Sequence, residues 1–292
     1  MSPRMPPQRL GAAVLAAVLG LGSSGCEGTF TGDLATDAPA DPDIAEVRVD
    51  LRGLRFQKSG GATATLEFND PEPVDLLDLA EGEPMRLFTD EPLPDGSYTG
   101  VRLMFDDEED VDGSVVDAAG DEFPLVLEEG AYAPAAFTVT EDESSSHALE
   151  LVLDLRQSLA FDDDDDEYTL TPVVRTVKAG QAARIAGLVT LDCPDGTSLE
   201  RGGAVYLFQG HDVTPDDLDG TGVEPHATTR VRQETADEQF SYALRHLAPG
   251  DYTLGLTCEG DEDVLAEDDS ISFRSVRNVR LESAESLELD LD

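Results

Sequence analysis

Alternation with a period of two governs this chain. Val47, Val49 and Leu51 alternate with Arg48 and Asp50, and near the other end Leu287, Leu289 and Leu291 alternate with Glu288 and Asp290. Successive side chains of a strand point to opposite faces, so such stretches put one apolar face on a core and one charged face in water. Comparable stretches lie at 62–68, 85–88, 98–105, 123–127, 135–139, 148–155 and 168–174. A second series follows at 184–191, 204–208, 228–233, 239–244, 252–258 and 270–276. Turn formers such as Pro94-Asp95-Gly96 separate them. The segment 74–79 (VDLLDL) reads as one helical turn that Gly82 stops. Many short strands at regular spacing predict an all-β fold of two tandem antiparallel β-sandwiches.

The charged faces are overwhelmingly acidic. The chain carries 63 Asp and Glu against 19 Lys and Arg, a formal net charge of −44. That field opposes nucleic acid and anionic headgroups, which are bound through clustered Lys and Arg, so no nucleic-acid partner is expected. Apolar residues are 40% of the 292, enough for real cores, but there is no Trp. Val, Leu, Ile and Ala must therefore do most of the packing.

The first 25 residues read as a processing segment. Arg4 and Arg9 precede an Ala/Leu/Val/Gly-rich run from Leu10 to Leu21, too short to span a bilayer and suited to a signal peptide. Ser23-Ser24-Gly25-Cys26 then resembles the bacterial lipobox, with Ser23 where that pattern prefers Leu. The resemblance implies a lipidated Cys26 that anchors the mature chain in a membrane, two or more acyl chains holding it firmly. Glu27 rather than Asp follows the cysteine, which by the usual sorting pattern implies the outer membrane. Removing Cys26 leaves Cys193 and Cys258, an even number for an oxidising compartment. They suggest a disulfide, with two separate buried thiols as the alternative.

The expected organisation is a leader over 1–25, a lipid-anchored flexible linker over 26–43, one sandwich over 44–177 and a second over 178–292. The linker reading rests on Gly, Pro, Thr and Asp without apolar periodicity over 27–43. One motif occurs in both sandwiches. Leu93-Pro94-Asp95-Gly96-Ser97-Tyr98-Thr99 and Leu247-Ala248-Pro249-Gly250-Asp251-Tyr252-Thr253 share L-x-x-G-x-Y-T, leading into an alternating strand.

Four ordered blocks carry a family likeness: VDLLDL, LPDGSYTGVRL (Leu93–Leu103), LVLDLRQSL (Leu151–Leu159) and YTLTPVVR (Tyr168–Arg175). Together they resemble domain of unknown function 4382, over about 44–177. The resemblance implies a bacterial exported or lipid-anchored protein and transfers no catalytic residue. In the second half GLVT (Gly187–Thr190), AVYL (Ala204–Leu207) and LAPGDYTLGLTC (Leu247–Cys258) are similar to transthyretin-like or carboxypeptidase regulatory-like modules. That likeness implies an immunoglobulin-like sandwich acting as a spacer or binding module.

Two acidic runs are candidates for cation sites. Glu108-x-Asp110-x-Asp112-Gly113 opens like a calcium loop, but Ala119 stands where such a loop needs its bidentate Glu. The run 162–167 is a block of like charge that reads as a solvated turn. The histidines at 147, 211, 226 and 246 lack metal-ligand spacing, and no nucleophile elbow, P-loop or dinucleotide fingerprint occurs in the mature chain. The sequence therefore reads as a non-enzymatic lipoprotein of the cell envelope without a cofactor. Its expected partners are the membrane, through the anchor, and an envelope protein or glycan. The alternative is a structural surface protein whose acidic loops, Glu108, Asp110 and Asp112 among them, take up Ca²⁺.

Overall fold

The computed structural model describes residues 28–106, 113–140, 145–233 and 239–292. Cys26 and the calcium candidates Glu108, Asp110 and Asp112 lie outside the described residues.

The first half runs β1 (Gly28–Asp37), β2 (Ile44–Lys58), β3 (Thr63–Asp75), α1 (Leu76–Glu81), β4 (Met85–Leu93) and β5 (Gly96–Phe105). It continues with β6 (Gly113–Asp117), β7 (Glu122–Leu127), β8 (Ala133–Val139), β9 (Ser146–Asp154), α2 (Leu155–Ser158), β10 (Leu159–Asp162), β11 (Glu167–Leu170) and β12 (Val174–Lys178). The second half contains β13 (Ala183–Val189), α3 (Leu199–Gly202), β14 (Ala204–Gln209), β15 (Ala227–Arg230) and β16 (Arg232–Gln233). It ends with β17 (Phe240–Leu247), β18 (Gly250–Thr257), β19 (Arg277–Leu281) and β20 (Ser286–Glu288).

These strands build two sandwiches. In the first, the sheet β12-β9-β1-β4 faces the sheet β10-β11-β7-β6-β2-β5-β8, with β3 added on β2. In the second, β16-β17-β13-β20 faces β15-β14-β18-β19. Pairing is antiparallel except at β1–β9, β7–β11 and β13–β20. The first core draws on residues from Phe30 to Leu170 and the second on residues from Ala183 to Leu291. A smaller cluster, Tyr206, Phe208 and Leu218 with Phe273 packed on it, covers the outer face of β14.

The segment read as a flexible tether contains a structural strand, and this corrects the linker expectation. β1 lies between β9 and β4 and buries Phe30 and Leu34 completely. Its inward positions are Phe30, Gly32 and Leu34, so the apolar alternation is interrupted by a glycine. A Cβ on Gly32 would meet the Phe30 ring at 2.7 Å, which is why that position carries no side chain. Thr29, Thr31 and Thr36 supply β-branched stiffness. The actual turn is confined to 38–43.

Smaller differences have local causes. The helix begins at Leu76 rather than Val74, because the Asp75 carboxylate caps it by accepting from Leu77 N at 3.0 Å. Gly82 does end it, donating its N–H to the Asp78 carbonyl. The stretch 270–276 makes only one bridge, Phe273 to Thr257. Gly53, at φ +151°, forms a bulge where β2 pairs with both β3 and β5, and a Cβ there would strike the Leu66 carbonyl at 2.1 Å.

The repeated motif builds the same corner twice. Tyr98 donates its hydroxyl to the Pro94 carbonyl, and Tyr252 donates to the Ala248 carbonyl at 2.8 Å, each four residues upstream. Both rings are buried at the start of a strand, a tyrosine-corner arrangement. Tyr98→Phe and Tyr252→Phe are each expected to cost about 1 kcal/mol, the net worth of one hydrogen bond, and the two losses should add. Urea titration of the single and double variants checks this.

Candidate functional site

The described side chains of functional character converge where the two sandwiches meet. The first sandwich contributes the end of β1, the α2 turn and β12. Asp154 caps α2, accepting from Gln157 N at 3.1 Å and from Gln157 Nε2 at 2.8 Å. The capped turn presents Arg156, 4% exposed, to the second sandwich. There its Nη1 donates to the Tyr206 hydroxyl at 2.7 Å and the Gly260 carbonyl at 2.9 Å. The Asp263 carboxylate stands 3.6 Å from the same nitrogen and accepts from the Tyr206 hydroxyl. Burial pushes the Tyr206 phenol far above its ordinary range.

A second linkage runs through β12. Arg175 pairs with Asp37 at the end of β1 and donates to the Arg245 carbonyl of β17 at 3.1 Å. That carbonyl is available because β17 bulges. Ala183 pairs with Leu247 and Ile185 with Leu244, so Arg245 and His246 together face one residue of β13. His246 sits at φ +52°, a region uncommon for side chains other than glycine. The bulge brings its Nδ1 to 2.9 Å from Glu150 on β9. Gln157 adds a bond to the Pro225 carbonyl at 3.2 Å.

Asp154 is the group whose titration this packing disturbs most usefully. Burial, then the neighbouring Asp37, raise its pKa from 3.8 to about 6, against the opposing pull of Arg175. The folded state therefore binds this proton more tightly than the unfolded state does. The ionised form carries a penalty of up to about 3 kcal/mol above pH 6, which fades as pH falls from 6 towards 4. Asp154→Asn keeps a capping oxygen and removes the charge. The variant is expected to melt higher than the wild type at pH 8, with the gap about halved at pH 5 and closing towards pH 4. A gap constant across that window would show that Asp154 does not titrate there.

A cavity of about 280 Å³ opens beside the bulge. Arg230, Arg232, Arg245 and His246 line it, with Asp37, Thr229 and Ser241. Arg230 ends β15 and Arg232 begins β16. Alternation put these residues on the polar side of their strands, and only the fold brings them to one opening. Elsewhere burial and Arg175 lower His226 to about 4, so it is neutral at ordinary pH.

Three of the described carboxylates gather around Asp263, behind the Tyr206 hydroxyl. Asp217, Asp263 and Asp269 each bring an oxygen within 4.8 Å of the others, and Asp217 and Asp263 are 2% and 6% exposed. These carboxylates act on the loops themselves: Asp263 accepts from Leu218 N at 3.1 Å, Asp269 from Val264 N at 2.7 Å and Asp217 from Asp269 N. A second trio, Asp217, Asp219 and Asp268, shares Asp217, and each trio's three oxygens fall short of the six to eight that Ca²⁺ takes. No local signal in the sequence marks the first trio, because Asp217 and Asp263 lie 46 positions apart. The run 162–167, by contrast, joins β10 to β11 as an exposed turn in which Asp162 accepts from Asp164 N at 2.9 Å. Cys193 and Cys258 are joined in a disulfide. No described helix is long and apolar enough to cross a membrane.

Residues 28–172 match the family described as Domain of unknown function (DUF4382). No curated protein matches the chain. Among solved structures, the Bacillus anthracis TIE protein is 11% identical over 90% of this chain, with a TM-score of 0.23, and the chain spans 34% of its length. A candidate cell adhesion protein of Bacteroides fragilis is 11% identical over 90% of this chain and 92% of its own, with a TM-score of 0.22. A candidate adhesin of Bacteroides ovatus gives 11% identity, 90% and 87% coverage, and a TM-score of 0.24.

Proposed function

Since this chain belongs to the DUF4382 family through residues 28–172, a family without an assigned activity, we propose its role from its leader and its build: a lipid-anchored, non-enzymatic binding ectodomain of the bacterial envelope. The observation that carries the binding reading is the junction. Buried charges from both sandwiches are spent on holding one orientation, and a polar cavity lies at the joint. A fixed joint with a recess beside it suits recognition, because the contact surface is organised before the ligand arrives.

The anchoring half of the proposal rests on the leader and Cys26. One residue separates Cys26 from Gly28, where β1 begins. A lipid on Cys26 would therefore hold the first sandwich at the membrane surface without a spacer. Glu27 favours the outer membrane in this reading. The acidic body would keep nucleic acid away and leave envelope proteins or glycans as partners.

Intact-mass analysis of the native protein tests the anchor. The expected mass starts at Cys26 and includes a diacylglyceryl group. A retained leader or a bare thiol at Cys26 overturns the anchor. Affinity capture of the native protein from its own envelope, read by mass spectrometry, tests the binding role, and repeated recovery without any enriched envelope component overturns it.

A further inference from the structure

We propose that the arginine-lined cavity at the sandwich junction binds a small carboxylate-bearing ligand with a hydroxylated body, such as a sugar acid. This names a ligand class for the binding ectodomain proposed above and rests on that reading. The argument begins with how the charges are distributed. Basic residues are outnumbered 63 to 19 in this chain, yet three arginines and a histidine ring one cavity of about 280 Å³.

The acids and the cations there are used differently. Asp37 also lines the cavity, but Arg175 holds it. Glu150 is occupied by His246. Among the described residues neither the Arg230 nor the Arg245 guanidinium has a hydrogen-bond or ion-pair partner, although carboxylates are the commonest side chains available. Arg230 is half-buried, and its pKa is lowered by burial first, then by Arg232 and Arg156, with Asp41 and Asp43 opposing. A partly desolvated cation crowded by others is costly to keep unless an anion compensates it.

Ligand chemistry follows from the lining. Guanidinium forks match a planar carboxylate with two parallel hydrogen bonds. Thr229 and Ser241 add hydroxyl groups suited to a polyhydroxylated body. The volume suits one small unit, and the surrounding field of −44 opposes a densely charged polyanion. A sugar acid at the end of a glycan and a free hydroxy acid share this chemistry.

Calorimetric titration of the full-length protein at fixed ionic strength tests the proposal. D-glucuronate is expected to bind saturably at concentrations up to about 10 mM, D-glucose is not, and Arg230→Gln and Arg245→Gln are each expected to weaken binding about tenfold or more. Arg245 is exposed, so R245Q keeps the test open if R230Q folds poorly. Methyl glucuronoside binding at least as tightly as glucuronate identifies a glycan end as the source. Tighter binding of tartrate identifies a free hydroxy acid, and both results support the shared chemistry. The proposal is overturned by absence of saturable heat, by glucose binding equally, or by both variants binding like the wild type. A flat titration leaves the envelope-capture result standing, and a failed capture leaves the titration standing, so the two readings fail separately.

Discussion

Replacing Arg156 with Met is expected to destabilise the protein by roughly 3–5 kcal/mol and to split its thermal unfolding into two transitions. Arg156 belongs to the first sandwich by chain and to the second by contact. Its side chain is 2% exposed, and its three polar neighbours, the Tyr206 hydroxyl, the Gly260 carbonyl and the Asp263 carboxylate, all lie across the junction. Met fills much of the volume but donates nothing. Asp263 would then remain buried without its cation, with the Tyr206 hydroxyl and Leu218 N as its donors and the Asp217 and Asp269 carboxylates close by. Breaking one end of a buried pair is costly for that reason, more than for the attraction lost. Arg156→Met combined with Asp263→Leu removes both charges and should recover part of the loss. Calorimetric scans separate the outcomes. One transition shifted by less than about 1 kcal/mol in the Arg156→Met variant would show that the junction does not couple the sandwiches.

What the sequence made legible follows from how local each determinant is. Period-two alternation depends on near neighbours, so β2, β5 and β9 could be read directly, β14 showed as a short apolar run buried on both faces, and the repeated L-x-x-G-x-Y-T marked both tyrosine corners. β1 was missed because its inward positions are Phe30, Gly32 and Leu34. A glycine forced by the Phe30 ring leaves only two apolar residues, and Pro39 and Pro42 nearby made the stretch resemble a linker. The junction was illegible for another reason. Arg156, Tyr206, Gly260 and Asp263 are separated by as many as 107 positions, and no spacing rule links them. The bulge at Arg245 and His246 has no signature of its own either, since β17 keeps its alternation up to Leu244. The acidic run at 162–167, conspicuous in sequence, proved to be a solvated turn, whereas the buried carboxylates Asp217 and Asp263 came from segments far apart.

Opening the Cys193–Cys258 bond is expected to cost about 4 kcal/mol on the chain-entropy account, because the bond closes a loop of 65 positions in the unfolded state. The link ties the chain leaving β13 to the end of β18, so it joins the two facing sheets of the second sandwich across α3. Cys258 is buried in that core with Cys193 packed against it. Cys193→Ser with Cys258→Ala avoids placing an unpaired hydroxyl at the buried end. Urea unfolding of this variant should show a lower midpoint and a steeper slope, since an unfolded chain freed of its cross-link exposes more surface. Hydrogen exchange should rise over 190–202, where the bond fixes the loop, and stay unchanged in β1, β2 and β5 of the first sandwich. The two effects distinguish loss of the cross-link from general destabilisation, which would raise exchange in both sandwiches. A variant that matches the oxidised wild type in midpoint, slope and exchange would show that the bond does not stabilise the second sandwich.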